Sequence, residues 1–596
     1  MKFPYGLSDF YKIITQGYFY ADRTAYIRLI EETGDQLLFL RPRRMGKSLL
    51  LSMLENYYDV NKAGEFERLF GHLAIGQNPT PLHNQYLIMR WDFSAVRTYG
   101  SVEDVARALN DHINVRIDNF ASRYEALLSR KITLHADNAA VSFESALTAI
   151  QKTPYKLYLL IDEYDNFANE VLMAGDAVNR QRYQELVAGE GVFRSIFKTI
   201  KSATGGLGLD RFFIVGVSPV VLSDVSSGFN ISDNIYLRRA FNALCGFTEQ
   251  EIETALRQVV QEGGLPSEQI AEALLLMRAF YNGYSFSYDL PPTTYNSTLT
   301  LYFLHYLQQE RTYPHQMFDS NLAMDQTKIA YISRLPNGEQ VLLAALQENP
   351  PVALEQIEDR FGVARMLAAE HGPGFMASLL YYFGVLTLTD ERTSDGKYIL
   401  RIPNQVARKL YAERLFELLL PSTQEREAGR AAADILCHQG DPQPLCDFIE
   451  QHYFRVLDNR DYRWANELTV KTAFLTLLFD NSRYIMDSEP ALQRNYGDLL
   501  MLIRPEMRKY QLFDILFEFE YVSLSEVDLS GEQARALTSD ALEALPTIKK
   551  KLAEARHQLQ NYRKILQATQ GATLRLRCFA VVALGFDRLA WAAVNE

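Results

Sequence analysis

A short apolar segment, a basic turn and a segment of helical periodicity follow one another near the start of the chain. Residues 36–40 are apolar and have the length of a strand, and apolar side chains recur at helical spacing from residue 49 to residue 57. Between them, after a turn at residues 41–45, lies Gly46-Lys47-Ser48. At such a strand-to-helix turn, backbone N–H groups wrap phosphate oxygens, a lysine reaches the β and γ oxygens, and a serine hydroxyl ligates Mg²⁺. We therefore predict a phosphate-binding loop in which Gly46 and Lys47 bind the nucleotide and Ser48 binds Mg²⁺.

Three arginines, Arg41, Arg43 and Arg44, precede this Gly-Lys-Ser sequence. Arg41 stands where the usual loop pattern has its first glycine. Positive side chains at the positive end of a helix dipole are unfavourable unless an anion binds there. We therefore predict that all three arginines contribute to phosphate binding. An ordinary helix start with a basic first turn is the alternative.

A second apolar strand, residues 157–161, ends in two acids, Asp162 and Glu163. Placed beside the phosphate-binding loop, Asp162 would hold Mg²⁺ through water, and Glu163 would orient or deprotonate the attacking water. A further strand, residues 211–217, ends at Ser218, which we expect either to contact the γ-phosphate or its water, or to cap a helix. Arg238 or Arg239 could stabilise charge as an arginine finger between copies of the chain, and a solvated pair is the alternative.

The order of elements predicts an α/β multidomain chain. Strands alternate with helices up to about residue 240, which indicates βαβ units and a mainly parallel sheet. Residues 241–420 are mostly helical, with a hairpin signal at residues 384–402 that suggests a small winged-helix-like module or a surface hairpin without a binding role. Residues 421–596 form a third unit with three strand-like segments and a long helix. We predict these three domains.

Six short blocks resemble the AAA-ATPase-like family of bacterial proteins. They lie in the first 300 residues and occur in order: residues 19–24, 39–48, 161–165, 215–219, 246–248 and 281–284. In that family an Arg-Pro-Arg-Arg sequence replaces the first loop glycine, as it does here at residues 41–44. The resemblance implies an ATPase fold that uses ATP and Mg²⁺, with Lys47, Ser48, Asp162 and Glu163 in its site.

A carboxylate pattern stands out in the third unit. Asp498 precedes an apolar strand, residues 499–503, and a second strand carries Glu518 and Glu520. Residues two apart on a strand point to the same face, so a hairpin could bring the three acids together as a Mg²⁺ site. Acids facing solvent on an edge strand are the alternative interpretation.

The same stretch resembles the PD-(D/E)XK nuclease-like domain that follows this ATPase family. Asp498, Glu518 and a helix with Gln558 and Tyr562 match its pattern, which implies that these residues serve catalysis and that Asp498 and Glu518 bind the metal ion. Glu520 departs from the pattern, because the family has lysine there. Lys509, or one of the lysines at residues 549–551, could replace that lysine from elsewhere in the fold.

Charge and composition limit the class of protein. The 596 residues include 61 Lys+Arg and 73 Asp+Glu, a net charge of −12, which argues against a protein that coats nucleic acid through bulk charge. Residues 549–577 nevertheless contain eight Lys/Arg and one acid. No apolar run reaches the ~20 residues of a membrane-spanning helix, and no signal peptide is evident. We expect a cytoplasmic protein without a membrane partner.

Two functions follow from these patterns. In the first, an ATP-hydrolysing domain gates metal-dependent cleavage of DNA or RNA at Asp498 and Glu518. In the second, the nuclease-like domain is inactive, and ATP changes the shape of a switch that binds nucleic acid or a protein partner. A small-molecule kinase would share the phosphate loop, but no acceptor-site motif is visible. A homo-oligomer is compatible with each of them.

Overall fold

The computed structural model describes residues 1–97, 99–166, 185–186, 191–220, 222, 231–289, 291–318, 324–335, 337–347, 351–361, 372–455, 467–487, 491–492, 495–496 and 498–594. The first sheet has five parallel strands in the order β2-β3-β4-β1-β5. These strands are β1 Gln36–Leu40, β2 Tyr86–Asp92, β3 Lys156–Asp162, β4 Leu209–Gly216 and β5 Asp233–Asn234. The parallel sheet predicted for the N-terminal part is confirmed.

Helices cover this sheet because its strands are apolar on both faces, as buried parallel strands are. The helices are α1 Phe10–Thr15, α2 Tyr26–Thr33, α3 Lys47–Tyr58, α4 Phe66–Phe70, α5 Val102–Arg123, α6 Ala139–Ile150 and α7 Val192–Ala203. Strand β4 lies between β1 and β3. The segments that follow β1, β3 and β4 therefore meet at one edge of the sheet, where parallel α/β sheets bind ligands.

The middle of the chain is helical, with one small sheet. Its helices are α8 Glu249–Gly263, α9 Glu268–Tyr281, α10 Ser297–Glu310, α11 Met324–Arg334, α12 Gly338–Gln347, α13 Pro373–Tyr382 and α14 Gln405–Leu419. Thr248 and Glu251 form a capping box at the start of α8. The predicted hairpin is also present, as antiparallel β7 Thr387–Arg392 and β8 Tyr398–Arg401, and β6 Val352–Leu354 pairs with β8.

Helix α13, which precedes this hairpin, is buried inside the protein. Every side chain from Phe375 to Tyr382 is buried, and the turn after the helix packs on the phosphate-loop segment, where a Cβ added to Gly384 would lie 2.6 Å from Pro42. A recognition helix must be exposed to enter a DNA groove. Helix α13 is buried and cannot enter one, and the winged-helix-like module itself stays a prediction.

The last part of the chain contains a second five-stranded sheet, in the order β15-β14-β13-β12-β9. Its strands are β9 Tyr484–Asp487, β12 Leu499–Ile503, β13 Asp514–Val522, β14 Leu576–Leu584 and β15 Arg588–Ala593, and a separate pair joins β10 Ala491–Leu492 to β11 Asn495–Tyr496. Only β13 and β14 pair in parallel in the five-stranded sheet. The helices of this region are α15 Thr423–Gln439, α16 Gln443–Phe448, α17 Glu467–Leu478, α18 Gly531–Arg535, α19 Ser539–Glu543 and α20 Pro546–Gln570.

Helices lie on both faces of this second sheet. On one face Phe474 of α17 packs against Phe517 and Phe519 of β13, with ring centroids 5.3 and 4.9 Å apart. On the other face, buried side chains of α20 such as Leu559 join those of β13 and β14. The layer arrangement is thus α/β, as predicted, while the boundaries at residues 240 and 420 stay predictions. Within the described residues, no helix is both long and apolar enough to cross a membrane.

Candidate functional site

The phosphate-binding loop begins helix α3 as the sequence predicts. Gly46 caps the helix in a left-handed conformation, φ 101°, which glycine adopts without a steric penalty. Lys47 is buried, and its Nζ donates to the carbonyl oxygens of Arg41 and Pro42, each at 2.9 Å. Burial lowers the pKa of Lys47, while Glu163 and Asp162 act in the opposite direction. The ammonium group therefore lies inside the loop, at the position from which it can reach a bound phosphate.

Helix α10 holds the loop from outside. The hydroxyl of Ser297 donates to the carbonyl of Met45 at 2.8 Å, and the hydroxyl of Thr298 donates to the carbonyl of Arg44 at 3.2 Å. The backbone N–H of Gly246 also donates to Met45, at 2.9 Å. These contacts fix the loop carbonyls on the side of the helical region. No local sequence pattern marks Ser297 and Thr298, which lie 252 and 254 residues from their partners in the loop.

Asp162 ends strand β3 beside the loop and is almost completely buried, with 1% of its surface exposed. Its Oδ2 lies 3.1 Å from Nη2 of Arg90. In the described part of the chain its Oδ1 is buried and has no hydrogen-bond partner. An unsatisfied buried carboxylate oxygen is costly unless a ligand occupies it. Together with the Ser48 hydroxyl it is an oxygen donor of the kind that Mg²⁺ prefers, so these residues fit a Mg²⁺ site.

Glu163 follows in the left-handed region, φ 49°, and lines a cavity next to the loop. Burial raises the pKa of Glu163, the charges of Asp162 and Asp165 act in the same direction, and those of Lys47 and Arg43 oppose them. A carboxylate with a raised pKa is a better general base near neutral pH. A contact between Glu163 and the attacking water stays a prediction.

The cavity beside the loop has a volume of about 230 Å³. Its wall includes loop and acid residues, among them Arg44, Gly46, Lys47, Ser48 and Glu163. It also includes apolar side chains, among them Phe19, Tyr20, Met53, Phe247 and Leu301. A mainly apolar wall with a few polar groups is the usual composition of a small-molecule site. A nucleotide, with a flat base and a charged phosphate chain, has the matching polarity.

Arg41 differs from its predicted role as a phosphate ligand. Its buried guanidinium donates to the carbonyls of Leu40, Tyr236 and Phe241 at 2.7–2.8 Å, and it is not part of the cavity wall. It also lies over the rings of Phe39 and Phe286, 4.3 and 4.0 Å from their centroids. Since these groups use its donors and faces, Arg41 anchors the back of the loop. The sequence could not show carbonyl partners that lie about 200 residues away.

The remaining predicted residues of this site have other partners. Ser218 is buried at the end of β4, where its hydroxyl and backbone N–H donate to Oδ2 of Asp165 at 3.0 and 2.7 Å. This hydroxyl therefore contacts a carboxylate that the sequence analysis did not single out. Arg43 donates to the side chain of Asn166 at 2.7 Å. Arg238, one of the two finger candidates, pairs with Asp233 at 2.6 Å on the surface.

The predicted C-terminal acids lie close together on the second sheet. Oδ2 of Asp498 accepts the backbone N–H of Phe519 at 2.6 Å. Glu518 is buried, and among the described residues nothing donates a hydrogen bond to its Oε2. Burial raises the pKa of Glu518 to about 9, and the charges of Asp498, Glu467 and Glu520 add to the effect. At neutral pH this cluster therefore binds a proton or attracts a cation.

Glu520 has a cationic partner from helix α20. Nζ of Lys551 lies 2.9 Å from Oε2 of Glu520. One of the lysines that could replace the family's lysine therefore lies beside position 520, where this sequence departs from the family pattern. Lys509, the other candidate, lies over the ring of Tyr510 instead, 5.2 Å from its centroid. Lys550 is exposed, and its partner is Glu554.

Glu467, in the first turn of α17, completes the cluster and was missed by the sequence analysis. The pKa of Glu467 is raised to about 7, mainly by burial and also by the charges of Asp498 and Glu520, while the charges of Lys471 and Lys551 oppose the rise. In the described ranges, no three acid, histidine or cysteine side chains are arranged to hold a metal ion together. Among the described residues, the cluster therefore concentrates negative charge but places at most two side chains where they could bind one metal ion together.

Gln558 and Tyr562 lie on one face of α20, and the hydroxyl of Tyr562 donates to Oε1 of Gln558 at 3.4 Å. Burial raises the pKa of Tyr562 to about 12, and the charges of Glu518 and Asp498 contribute. Their influence shows that the helix faces the acids. The structure thus brings together the residues that carried the second resemblance.

Comparisons with known proteins concern mainly the N-terminal part. The family model described as "AAA-ATPase_like: Predicted AAA-ATPase" matches residues 4–226. Over 426 residues the chain is 26% identical to an uncharacterized protein in the vnfD 5′ region of Azotobacter chroococcum mcd 1, covering 70% of this chain and 71% of that protein. The N-terminal domain is therefore similar to predicted AAA-ATPases at the level of a P-loop domain.

Two solved structures are also similar. The Walker-type ATPase PABY2304 of Pyrococcus abyssi is 16% identical, covers 65% of this chain and 95% of its own, and has a TM-score of 0.37. The Aeropyrum pernix ORC1 protein in complex with DNA is 12% identical, covers 67% of this chain and 94% of its own, and has a TM-score of 0.26. None of these four matches supports the predicted nuclease-like domain.

Proposed function

We propose that this chain binds ATP with Mg²⁺ at the loop of residues 41–48 and hydrolyses it. One observation carries the proposal: the buried lysine of the loop and an acid of raised pKa line the same cavity, and an acid with an unsatisfied oxygen directly precedes the second of them in the chain. These are the groups that phosphoryl transfer to water requires.

Each group has a defined task in this proposal. Lys47 exchanges the carbonyls of Arg41 and Pro42 for phosphate oxygens, and the N–H groups at the start of α3 bind the same phosphates. Ser48 and Asp162 would hold Mg²⁺, which when bound neutralises charge on the β and γ phosphates. Glu163 accepts the proton of the attacking water. The apolar side chains of the cavity wall contact the nucleoside.

The substitution Lys47→Ala tests the proposal. We expect the ATP affinity, measured by calorimetry, to fall about 100-fold, because the variant loses charge-assisted hydrogen bonds to phosphate. Lys152→Ala is the matched control, since Lys152 is exposed and begins the turn before β3, at the opposite edge of the sheet. Equal ATP affinity of wild type and Lys47→Ala would overturn the proposal.

We further propose that the C-terminal domain is nuclease-like and acts on DNA or RNA under the control of ATP. Three observations favour it: the mixed sheet places Asp498 beside Glu518, Lys551 takes the position next to Glu520, and α20 exposes Lys549, Lys550, Arg556 and Lys564. A basic helix beside an acidic cluster can follow a phosphate backbone. The alternative proposal is an ATP-dependent switch whose nuclease-like domain binds without cleaving.

Cleavage assays separate these two proposals. Single- and double-stranded DNA and RNA would be incubated with Mg²⁺ or Mn²⁺, with and without ATP. Active cleavage that disappears in Asp498→Ala and persists in the control Asp540→Ala, an exposed acid of α19, supports the nuclease. No cleavage by the wild type together with a gain in Glu520→Lys supports the inactive switch.

A further inference from the structure

Arg90, on strand β2, touches both residues that we assign to Mg²⁺. Strand β2 pairs with β3, and Arg90 lies opposite Leu160, two residues before Asp162. Its Nη2 lies 3.1 Å from Oδ2 of Asp162 and 3.5 Å from the backbone carbonyl of Ser48. The side chain is about three-quarters buried, with 26% exposed. No sequence motif pointed to this arginine.

The contact with Arg90 fixes the orientation of the Asp162 carboxylate. One carboxylate oxygen, Oδ2, is tied to the guanidinium, while the other, Oδ1, is buried without a partner among the described residues. A carboxylate held at one oxygen cannot rotate freely, so its second oxygen stays aimed at one place. Groups that fix the orientation of a metal ligand in this way are typical of metal sites.

An ion pair with the neighbouring acid Glu55 does not account for the position of Arg90. Glu55 lies 3.7 Å from Nη1 of Arg90, but it already has a closer partner, since its other oxygen lies 2.6 Å from Nη1 of Arg123. Arg123 also pairs with Asp59 and so provides the structural ion pair of this region. The shortest contact of Arg90 is instead with Asp162.

We propose that Arg90 is a positioning residue for the magnesium–nucleotide complex. It holds Asp162 so that Oδ1 faces the metal shell, and it ties the start of α3 at Ser48 to the same point. Arg90 itself does not touch the nucleotide. This inference rests on the proposed ATP site and adds a residue that acts on the metal-dependent part of binding alone.

The test compares nucleotide affinity with and without the metal ion. The dissociation constant of a non-hydrolysable ATP analogue is measured in EDTA and in Mg²⁺ for the full-length wild type, Arg90→Gln and Arg90→Lys. We expect the tightening caused by Mg²⁺ to fall about 10-fold in Arg90→Gln, as for other supports of metal ligands. In EDTA its affinity stays within about twofold of the wild type. Arg90→Lys, which keeps the charge, recovers part of the loss.

Arg116→Gln serves as the matched control, because Arg116 lines the same surface pocket as Arg90 but is on helix α5. Unchanged or stronger Mg²⁺-dependent tightening in Arg90→Gln would overturn the inference, since the charge of Arg90 would then be irrelevant or repulsive to the metal ion. An equal loss in EDTA would also overturn it, because the role would not concern the metal ion. A wild type that binds no analogue under either condition defeats the proposed ATP site itself. Thermal unfolding of each variant shows that the comparison is made between folded proteins.

Discussion

The negative charges of the two carboxylate sites in this protein are neutralised in different ways. In the N-terminal site Lys47 and Arg90 lie beside Asp162 and Glu163, and the pKa of Glu163 rises mainly through burial. In the C-terminal site four acids share the cations of Lys471 and Lys551, and the pKa of Glu518 rises to about 9. The charges of the first site are those that the proposed magnesium–nucleotide complex requires. The second has an excess of negative charge that a proton or a cation must offset.

The difference extends to the cations behind each site. Arg41 is buried behind the phosphate loop and is stabilised by three carbonyls and two aromatic rings, and no acid pairs with it among the residues that the structure describes. Lys551 is partly exposed and pairs with two acids, Glu520 and Glu554. The cation behind the first site thus holds backbone carbonyls in place, whereas the cation of the second site partly neutralises neighbouring carboxylates. Each of the following predictions tests one side of this contrast.

The largest effect is expected for Arg41→Met. Removal of the guanidinium takes a charged donor from the buried carbonyls of Leu40, Tyr236 and Phe241, the last of which keeps the backbone N–H of Leu244. We expect this loss to cost about 2–5 kcal/mol of unfolding free energy. Urea unfolding of the full-length protein measures this loss. Arg43→Met is the comparison, because Arg43 is less buried, and we expect a change below about 1 kcal/mol. Unaltered stability of Arg41→Met with lost ATP affinity would instead restore the sequence-based prediction that Arg41 binds phosphate.

Arg41 also shows which parts of the structure were accessible from sequence. Strands at residues 36–40 and 499–503 have in the structure the bounds that the sequence predicts, because each is an apolar run between polar turns. The acids at the ends of strands could be predicted for the same reason, since a strand end fixes where the next side chain lies.

Contacts between distant segments were not accessible. Ser297 reaches the loop across 252 residues and Arg41 reaches Phe241 across 200, and no local pattern encodes such pairs. Glu467 looked like any acid in a first helical turn, where the helix dipole favours a negative charge. Arg90 looked like one polar residue in an apolar strand. In each case the tertiary fold, not local periodicity, decides what the side chain touches.

A medium effect is expected for Glu518→Gln, and it depends on pH. The pKa of Glu518 is about 9 in the folded protein and about 4.5 when unfolded. The folded state therefore holds a proton that the unfolded state has released, and the wild type loses stability as the pH rises from about 4.5 towards 9. Glutamine has no proton to lose. At pH 8.5 we expect Glu518→Gln to be about 1–3 kcal/mol more stable than the wild type, and at pH 4 about equal to it.

Thermal unfolding between pH 4 and pH 9 measures this difference. Glu532→Gln, which changes an exposed acid of α18, is the control and should follow the wild type at every pH. A constant difference between wild type and Glu518→Gln across this range would contradict the prediction, and it would mean that the C-terminal acids are balanced as well as those of the N-terminal site. Mg²⁺ at pH 8.5 should raise the unfolding temperature of the wild type more than that of Glu518→Gln, because a bound cation offsets the same charge.

The smallest effect is expected for Lys551→Met. The ion pair with Glu520 is partly exposed, so its loss changes the unfolding free energy by less than about 1 kcal/mol at pH 6. The pKa of Glu467, about 7 in the wild type, is lowered by Lys551, and it rises when that charge is removed. A higher pKa in the folded state extends the pH range over which the protein loses stability as the pH rises. The difference in unfolding free energy between Lys551→Met and the wild type should therefore widen from pH 6 to pH 8.5.

Lys550→Met makes this last prediction specific. Lys550 is the preceding residue of the same helix, but it is highly exposed and its acidic partner is Glu554, at 3.8 Å. We expect the unfolding temperature of Lys550→Met to differ from that of the wild type by the same amount at both pH values. Identical pH profiles of the two lysine variants would show that Lys551 acts only as surface charge. Divergent profiles would show that one lysine of α20 is coupled to the acids, in the way that Arg90 is coupled to Asp162 in the first site.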